Sequence, residues 1–460
     1  MAVWNIVNLK KIRPDRFDAE YFRPDYESNI SNLKSTGELR SIGRLFKFIQ
    51  RGTQPAYSEN GKIKALRSVN VGNLAFNETR QEYVTNVFYD LTSRGHVKED
   101  DILITSTGIG TLGRVSIWPY KEPAFCDGHI SILRDSETNP YLIAAYLNSN
   151  YGKIQFDQNY RGSSGQIEIY PYDISRIVIP ILILEYGGKI GSKVRRSFEL
   201  ISNSESLYSQ ATQLMEQELG FVKENLMRKN HYFTNLSACV NQKLIDSNFF
   251  QPKYDQIIKH LSSNFKLIEL KKLAKIEYGY MPMQDYEVDP KKGIPLIRVT
   301  NITNNLEVKI DDLKYVPNWV KVSRNKFVEK GDILMVQCGD TTGKVGYIYE
   351  EIENYLFPSF CFSVKVFSSE IDSLFLAALL KTEIMQTLFD QTVMINTVRP
   401  NTTKPRFEKM YIPILRSYIQ SEVNNLLMKS YELRKESKNL LEQAKTEIET
   451  LIENAVINAS

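Results

Sequence analysis

Two glycine-rich segments carry the residue types closest to phosphate chemistry. Gly108-Ile109-Gly110-Thr111-Leu112-Gly113 has GxGxxG spacing and comes after an apolar run, Asp101–Thr105. In a dinucleotide site the glycines admit a pyrophosphate, and a helix must begin at once so that its first amides hold the anion. The next residues here are Arg114-Val115-Ser116-Ile117-Trp118-Pro119, a strand pattern ended by proline. The spacing therefore predicts a β-hairpin turn at positive φ, with a nucleotide-using enzyme as the alternative reading. The second segment, Cys338-Gly339-Asp340-Thr341-Thr342-Gly343-Lys344-Val345, is a near-miss of a P-loop. It lacks the leading glycine and has Val345 where Ser or Thr would hold Mg²⁺. No HExxH, no GxSxG, no paired-carboxylate pattern and no D/N-P-P-Y/F segment of an amino-methyltransferase occurs. Four scattered histidines lack the spacing of a metal site, and four cysteines without a CxxC read as reduced thiols.

The remaining polar chemistry lies in loops that mix Arg, Lys, Asn and Gln with glycine. The first half has Gln50-Arg51-Gly52-Thr53-Gln54, Arg67-Ser68-Val69-Asn70 and Tyr160-Arg161-Gly162-Ser163-Ser164-Gly165-Gln166. The second has Tyr278-Gly279-Tyr280, Arg298-Val299-Thr300-Asn301 and the run from Thr397 to Arg406. Arg and Lys grip phosphates or guanine edges, and Asn and Gln pair with adenine. Solvated turns have the same composition, so one such loop decides nothing. Three in homologous places in both halves favour a binding role.

The elements that must position these loops are duplicated. RFDAEYFRPDY (16–26) matches LIDSNFFQPKY (244–254), with Asp18/Asp246, Phe22/Phe250, Pro24/Pro252 and Tyr26/Tyr254 at an offset of 228. Arg67/Arg298 and Asn70/Asn301 match at 231, as do the strand patterns DILIT and DILMV at Asp101/Asp332. AAYL/AALL, FDQ/FDQ and VIP/YIP match at 233. Order is kept and the offset drifts by a few residues, which is duplication with loop indels; so long a period means tandem domains. Each unit reads as short β-branched strands between Gly, Asn and Pro turns, then helices such as 140–158 and 373–391.

Each unit ends in a long helix. Leu200, Ser204, Leu207, Ala211 and Met215 recur at steps of four and three, and Leu433, Ser437, Leu440, Ala444 and Ile448 repeat them 233 residues later. That is the seam of a helix pair, with small residues allowing close approach; register alone leaves parallel and antiparallel pairing open. Gly220 is placed to cap the first helix. The expected organisation is a domain over 1–182, a long helix over 183–220, a connector over 221–243, a second domain over 244–414 and a C-terminal helix over 415–460.

With 42% apolar and 24% charged residues the chain is globular, and its net charge of +4 permits nucleic acid without demanding it. The first residues lack an apolar signal core and no run is long enough to span a bilayer, so a cytoplasmic protein with no membrane partner is expected.

The unit openings DAEYFRPDY and DSNFFQPKY, the strands DILIT and DILMV with their glycine turns, and the exits IVIP and YIP into long helices resemble the specificity (S) subunit of type I restriction–modification systems. The resemblance covers nearly the whole chain. It implies an α+β fold: two tandem, mainly-β target recognition domains with small helices, each followed by a long helix, the two helices pairing as an antiparallel coiled-coil spacer. It implies a non-catalytic subunit whose halves each read one half of a split site in double-stranded DNA. Two modification subunits would dock on the helices, with restriction/translocase subunits beyond them. S-adenosylmethionine, ATP and Mg²⁺ would belong to those partners, with no cofactor or metal on this chain. The candidate DNA contacts are Arg51, Gln54, Arg67, Asn70, Arg161 and Gln166 in the first half. In the second they are Tyr280, Arg298, Asn301, Lys344, Arg399, Lys404 and Arg406. Arg67 and Arg298 come directly after strands and could instead be framework ion pairs. A structural adaptor that joins subunits without reading DNA is the other alternative; its prediction is no sequence preference.

Overall fold

The computed structural model describes residues 5–8, 12, 15–77, 80–162, 166–220, 229–242, 244–394 and 399–459. The chain forms two compact units, residues 1–202 with 433–460, and residues 203–432. Their division falls inside both long helices, whereas the sequence pattern places boundaries at the helix ends.

Unit 1 opens on a short turn, Ala19–Phe22, in which Tyr21 N donates to the Asp18 side chain, and continues into the helix Pro24–Ser35 with proline in its first turn. Three antiparallel pairings build its first four-stranded sheet, in the order Phe46–Arg51, Ile130–Ser136, Ile102–Thr105, Val115–Ile117. A second sheet runs Glu82–Val84, Ile63–Leu66, Ala124–Cys126, His96–Val97, its middle pair parallel. Leu39–Ser41 pairs with the exit strand Val178–Pro180. The strand Ile102–Thr105 is buried on both faces, which is why DILIT lacks the polar alternation of a half-exposed strand.

Unit 2 repeats this architecture. Its sheets run Ala274–Tyr278, Cys361–Val366, Ile333–Val336, Val345–Tyr347 and Lys314–Pro317, Gly293–Leu296, Tyr355–Leu356, Phe327–Val328, the middle pair of the latter again parallel. Lys266–Glu269 pairs with Tyr411–Ile414. The helical stretches predicted over 140–158 and 373–391 each break once, into Pro140–Asn148 and Asn150–Asn159, and into Ser373–Lys381 and Glu383–Thr392. In the first, the Ser149 hydroxyl accepts from Gly152 N and restarts the helix. The connector contains a helix, Leu236–Gln242, that the sequence pattern does not announce.

The long helices are Gly188–Leu219 and Ser417–Ala459. Within unit 2 they are antiparallel: Ser204 meets Ser430, while Glu218 meets Arg416 at 3.1 Å. Ser204 and Ser430 each donate to the other's carbonyl oxygen at 2.8 Å, and their hydroxyls are 2.9 Å apart. This bonds two buried hydroxyls where backbones approach closely, and it fixes register. The repeat equivalents in unit 1 are Ser437 and Ser197, both buried; there the Ser197 hydroxyl donates to Val194 O at 2.7 Å within its own helix, and Lys193 pairs with Glu447. Of the expected seam, Leu200, Ser204, Ala211, Met215, Ser437, Ala444 and Ile448 are buried, and Leu207, Leu433 and Leu440 are half-buried. Gly220, at φ +62°, ends the first helix as its sequence position suggests. Among the described residues no helix is long and apolar enough to cross a membrane.

Candidate nucleic-acid interface

In each unit the antiparallel sheet brings three loops to one end. The first is the chain leaving Arg51 or Tyr278. In unit 1, Gly52 N donates to Ile130 O at 2.9 Å and Thr53 N to Cys126 O at 3.4 Å; in unit 2, Gly279 N donates to Cys361 O at 3.3 Å and Tyr280 N to Phe357 O at 2.8 Å. The approach is so close that a Cβ on Gly52 would collide with the carbonyl oxygens of Cys126 and Asp127, and one on Gly279 with that of Pro358.

The second loop is the glycine-rich one. It is a hairpin between antiparallel strands, with Gly108, Gly110 and Gly113 at φ +96°, +78° and +77°, and no helix begins after it. A dinucleotide loop is excluded on that ground, since nothing presents helix N-terminal amides to a pyrophosphate. The third loop, after the second short helix, is laced to the hairpin. Gly108 N donates to Ile167 O at 3.1 Å and Ile169 N to Ser106 O at 2.9 Å; in unit 2, Gly339 N donates to Pro400 O and Thr402 N to Gln337 O, both at 3.0 Å. The bridges Arg161↔Glu168 and Met394↔Asn401 close the two loops alike. Residues 163–165 and 395–398, part of the third loop, lie outside the described residues.

The third pair of polar segments singled out in the sequence has another job. The Asn70 side chain accepts from Arg67 N at 2.9 Å and donates to Asn77 O at 2.8 Å. Asn301 accepts from Arg298 N at 2.8 Å and donates to Asp311 O at 3.0 Å. Both asparagines are buried, so their amides cannot meet a base edge; they clasp a turn, and this corrects their assignment. Arg67 donates to Arg80 O at 2.8 Å and lies 3.8 Å from Glu82, and Arg298 donates to Asp312 at both its backbone and its carboxylate. Asn70→Ala and Asn301→Ala are each expected to destabilise their unit by about 1–3 kcal/mol, because buried partners lose their bonds. Denaturant melts check this, and a cost below about 0.5 kcal/mol would contradict the clasp.

Two more arginines are framework. Arg51 donates to Ile169 O at 2.9 Å, pairs with Glu168 at 3.2 Å and lies over the Tyr170 ring, fastening the third loop to the sheet. Arg161 bonds both oxygens of Asp173, at 2.8 and 3.1 Å, and reaches Asp15 at 3.0 Å. Since the Asp173 side chain is 2% exposed, Arg161, its own side chain 32% exposed, neutralises a buried charge.

Other candidates do stand at the loop end. Gln54 and Gln166 are exposed, and no side-chain bond of either occurs among the described residues. Arg399 is exposed; Lys404 and Arg406 are half-buried, Lys404 lying 3.8 Å from Glu408 and Arg406 3.4 Å from Thr392 O. Tyr280 accepts from the Gln284 amide at 2.9 Å. Sequence reasoning misses Thr107 and His129, whose Oγ1 and Nδ1 lie 2.8 Å apart beside the hairpin. It also misses Met281 and Met283, 57% and 93% exposed. The Gly52/Gly279 equivalence is the signal that could find the methionines.

Lys344 is half-buried, and burial lowers its pKa. Lys381, which donates to Tyr208 Oη at 2.9 Å, is pushed down from 10.5 to about 8 by burial and then by the charge of Lys344. Folded unit 2 therefore releases a proton that the unfolded chain keeps between about pH 8 and 10.5, and its stability rises with pH across that window. Lys381→Met is expected to remove the rise and to stabilise unit 2 at pH 7 by about 1–3 kcal/mol. Thermal melts at about pH 7, 8, 9 and 10 test this; a rise that survives in the variant assigns it to another group.

Residues 262–443 match the family of the type I restriction modification DNA specificity domain. No curated protein matches the chain in sequence. Among solved structures, the type-I restriction-modification system S subunit from M. genitalium is 15% identical, with 91% of this chain and 95% of that chain covered and a TM-score of 0.43. The HsdS subunit from Thermoanaerobacter tengcongensis is 12% identical, with 91% and 96% covered and a TM-score of 0.28.

Proposed function

We propose that this chain, which belongs to the type I restriction–modification specificity family, reads a split DNA site with one half-site per unit. The observation that carries the reading is the recurrence of one loop cluster on two copies of one framework. The same backbone bonds hold the glycine hairpin to the third loop in both units, while the side chains presented differ. A duplicated scaffold with diverged loops suits two different short sequences.

The Gln54 and Gln166 amides would pair with base edges in unit 1; Arg399, Lys404 and Arg406 would hold phosphates or guanines in unit 2. Arg51 and Arg161 position the third loop of unit 1. The antiparallel long helices would set the spacing of the half-sites and receive two modification subunits. Those partners would bring S-adenosylmethionine, and restriction subunits ATP and Mg²⁺; this chain supplies recognition.

The test is DNA binding by the complex of this chain with its modification subunits. At physiological salt the complex is expected to prefer its target over scrambled DNA by at least about 10³-fold, with affinity falling as salt rises. Equal affinity for both would leave the chain an adaptor.

A further inference from the structure

The loops after Gly52 and Gly279 are one structural element with two chemistries. Both glycines lie against the same pair of carbonyls, and both loops keep a proline, Pro55 and Pro282, at a common offset of 227. Between them unit 1 has Thr53 and Gln54, then Ala56; unit 2 has Tyr280 and Met281, then Met283. The unit 2 loop is held open by its own bonds. The Gln284 amide nitrogen donates to Tyr280 Oη at 2.9 Å, and Met283 N donates to Gln284 Oε1 at 3.1 Å. Met281 and Met283 are thereby fixed outward, 57% and 93% exposed. Two solvated thioethers two residues apart on one loop suit a partner that offers apolar groups.

The surroundings say which. The segments at this end of unit 2, 278–284, 337–344, 357–360 and 399–408, contain Lys344, Arg399, Lys404 and Arg406 against the carboxylates of Asp340 and Glu408, the latter 3.8 Å from Lys404. A cationic rim around an apolar tip fits a polyanion carrying small apolar groups. Duplex DNA has this combination in its major groove, where the only methyl group among the base edges is that of thymine. We infer that Met281 and Met283 read thymine C5-methyl groups in the half-site of unit 2, whereas the equivalent Gln54 reads its half-site by hydrogen bonds. This rests on the DNA-reading function proposed above and adds the chemistry of each half.

The experiment uses the assembled complex and its own target, with thymine replaced by deoxyuridine, which lacks only the methyl, in one half-site at a time. In one half-site the replacement is expected to weaken binding about fourfold per contacted methyl, equivalent to about 0.8 kcal/mol. The double variant M281A/M283A should bind the normal target more weakly and lose its sensitivity to deoxyuridine there. Q54A should keep that sensitivity. Both methionines are solvent-facing, so folding is not at issue. The inference is overturned if sensitivity survives in M281A/M283A, or if neither half-site responds, or if the half-site altered by unit 2 substitutions contains no thymine. It is also overturned if the double variant keeps its DNA preference and instead fails to assemble, which would make the methionines a protein contact. If the wild-type complex shows no sequence preference at all, the DNA-reading function itself falls, an outcome distinct from those four.

Discussion

Replacing Arg134 by alanine is expected to destabilise unit 1 by about 3–5 kcal/mol, the cost of leaving a buried charge without its partner. Arg134 lies on the strand Ile130–Ser136 and meets Asp101 through two bonds, Nε to Oδ1 at 2.8 Å and Nη2 to Oδ2 at 2.6 Å. It also donates to His96 O at 2.8 Å. The Asp101 side chain is 1% exposed, and burial pushes its carboxyl above the usual range despite the pull of Arg134. Without the guanidinium only Lys98 N remains as a donor to that carboxylate among the bonds described. In unit 2 the equivalent pair is Asp332 and Lys365 at 3.0 Å, through a single ammonium on a more exposed side chain. Lys365→Ala should therefore cost less, about 1–2 kcal/mol. Urea unfolding of both variants gives the comparison; equal small losses would show that the bidentate pair is not what holds Asp101.

The second large effect is on reading. Gly279→Ala places a Cβ against the Pro358 carbonyl and close to that of Phe357, which are backbone atoms of the neighbouring strand connection and have little freedom to yield. The loop from Tyr280 to Gln284 must then leave its place. If it covers two base pairs, at about 1–3 kcal/mol each, specific binding should fall at least about 30-fold. The loss should be confined to discrimination at one half-site. Gly188→Ala is the control: nothing lies within 4 Å of its added carbon, and alanine favours the helix there by up to about 1 kcal/mol. A Gly279→Ala complex that still discriminates at both half-sites would remove this loop from the interface.

The fold was legible because duplication makes each half a check on the other. Asp101 and Asp332, or Ser204 and Ser437, are weak signals singly, but their nearly equal offsets, 231 and 233, place them in one framework, and the two sheet orders agree. Antiparallel pairing was not legible from the seam, since heptad spacing serves both directions; the Ser204–Ser430 exchange settles it within unit 2. The binding loops were legible as regions and misleading as residues. Arg161 looked available because its partner Asp173 is twelve positions away, beyond a glycine loop, and only the fold brings them together. Asn70 and Asn301 have the residue type for adenine, yet their short spacing from Arg67 and Arg298 suits an Asx-type turn just as well, and burial decides for the turn. Composition favours polar residues in loops, so Met281 and Met283 carry no signal by residue type, and only the equivalence of Gly52 and Gly279 points to their loop. Their exposure is visible only once Gly279 is seen to hold the loop away from the core.

The central claim is that each unit reads its own half of a split site. The most direct measurement is a genome-wide methylation map of a host carrying this chain and its modification subunits, before and after residues 244–414 are exchanged for the matching domain of another specificity chain. The expected result is a two-part motif in which one half changes, while the other half and the spacing stay as they were. A motif that changes in both halves, or in neither, would contradict it.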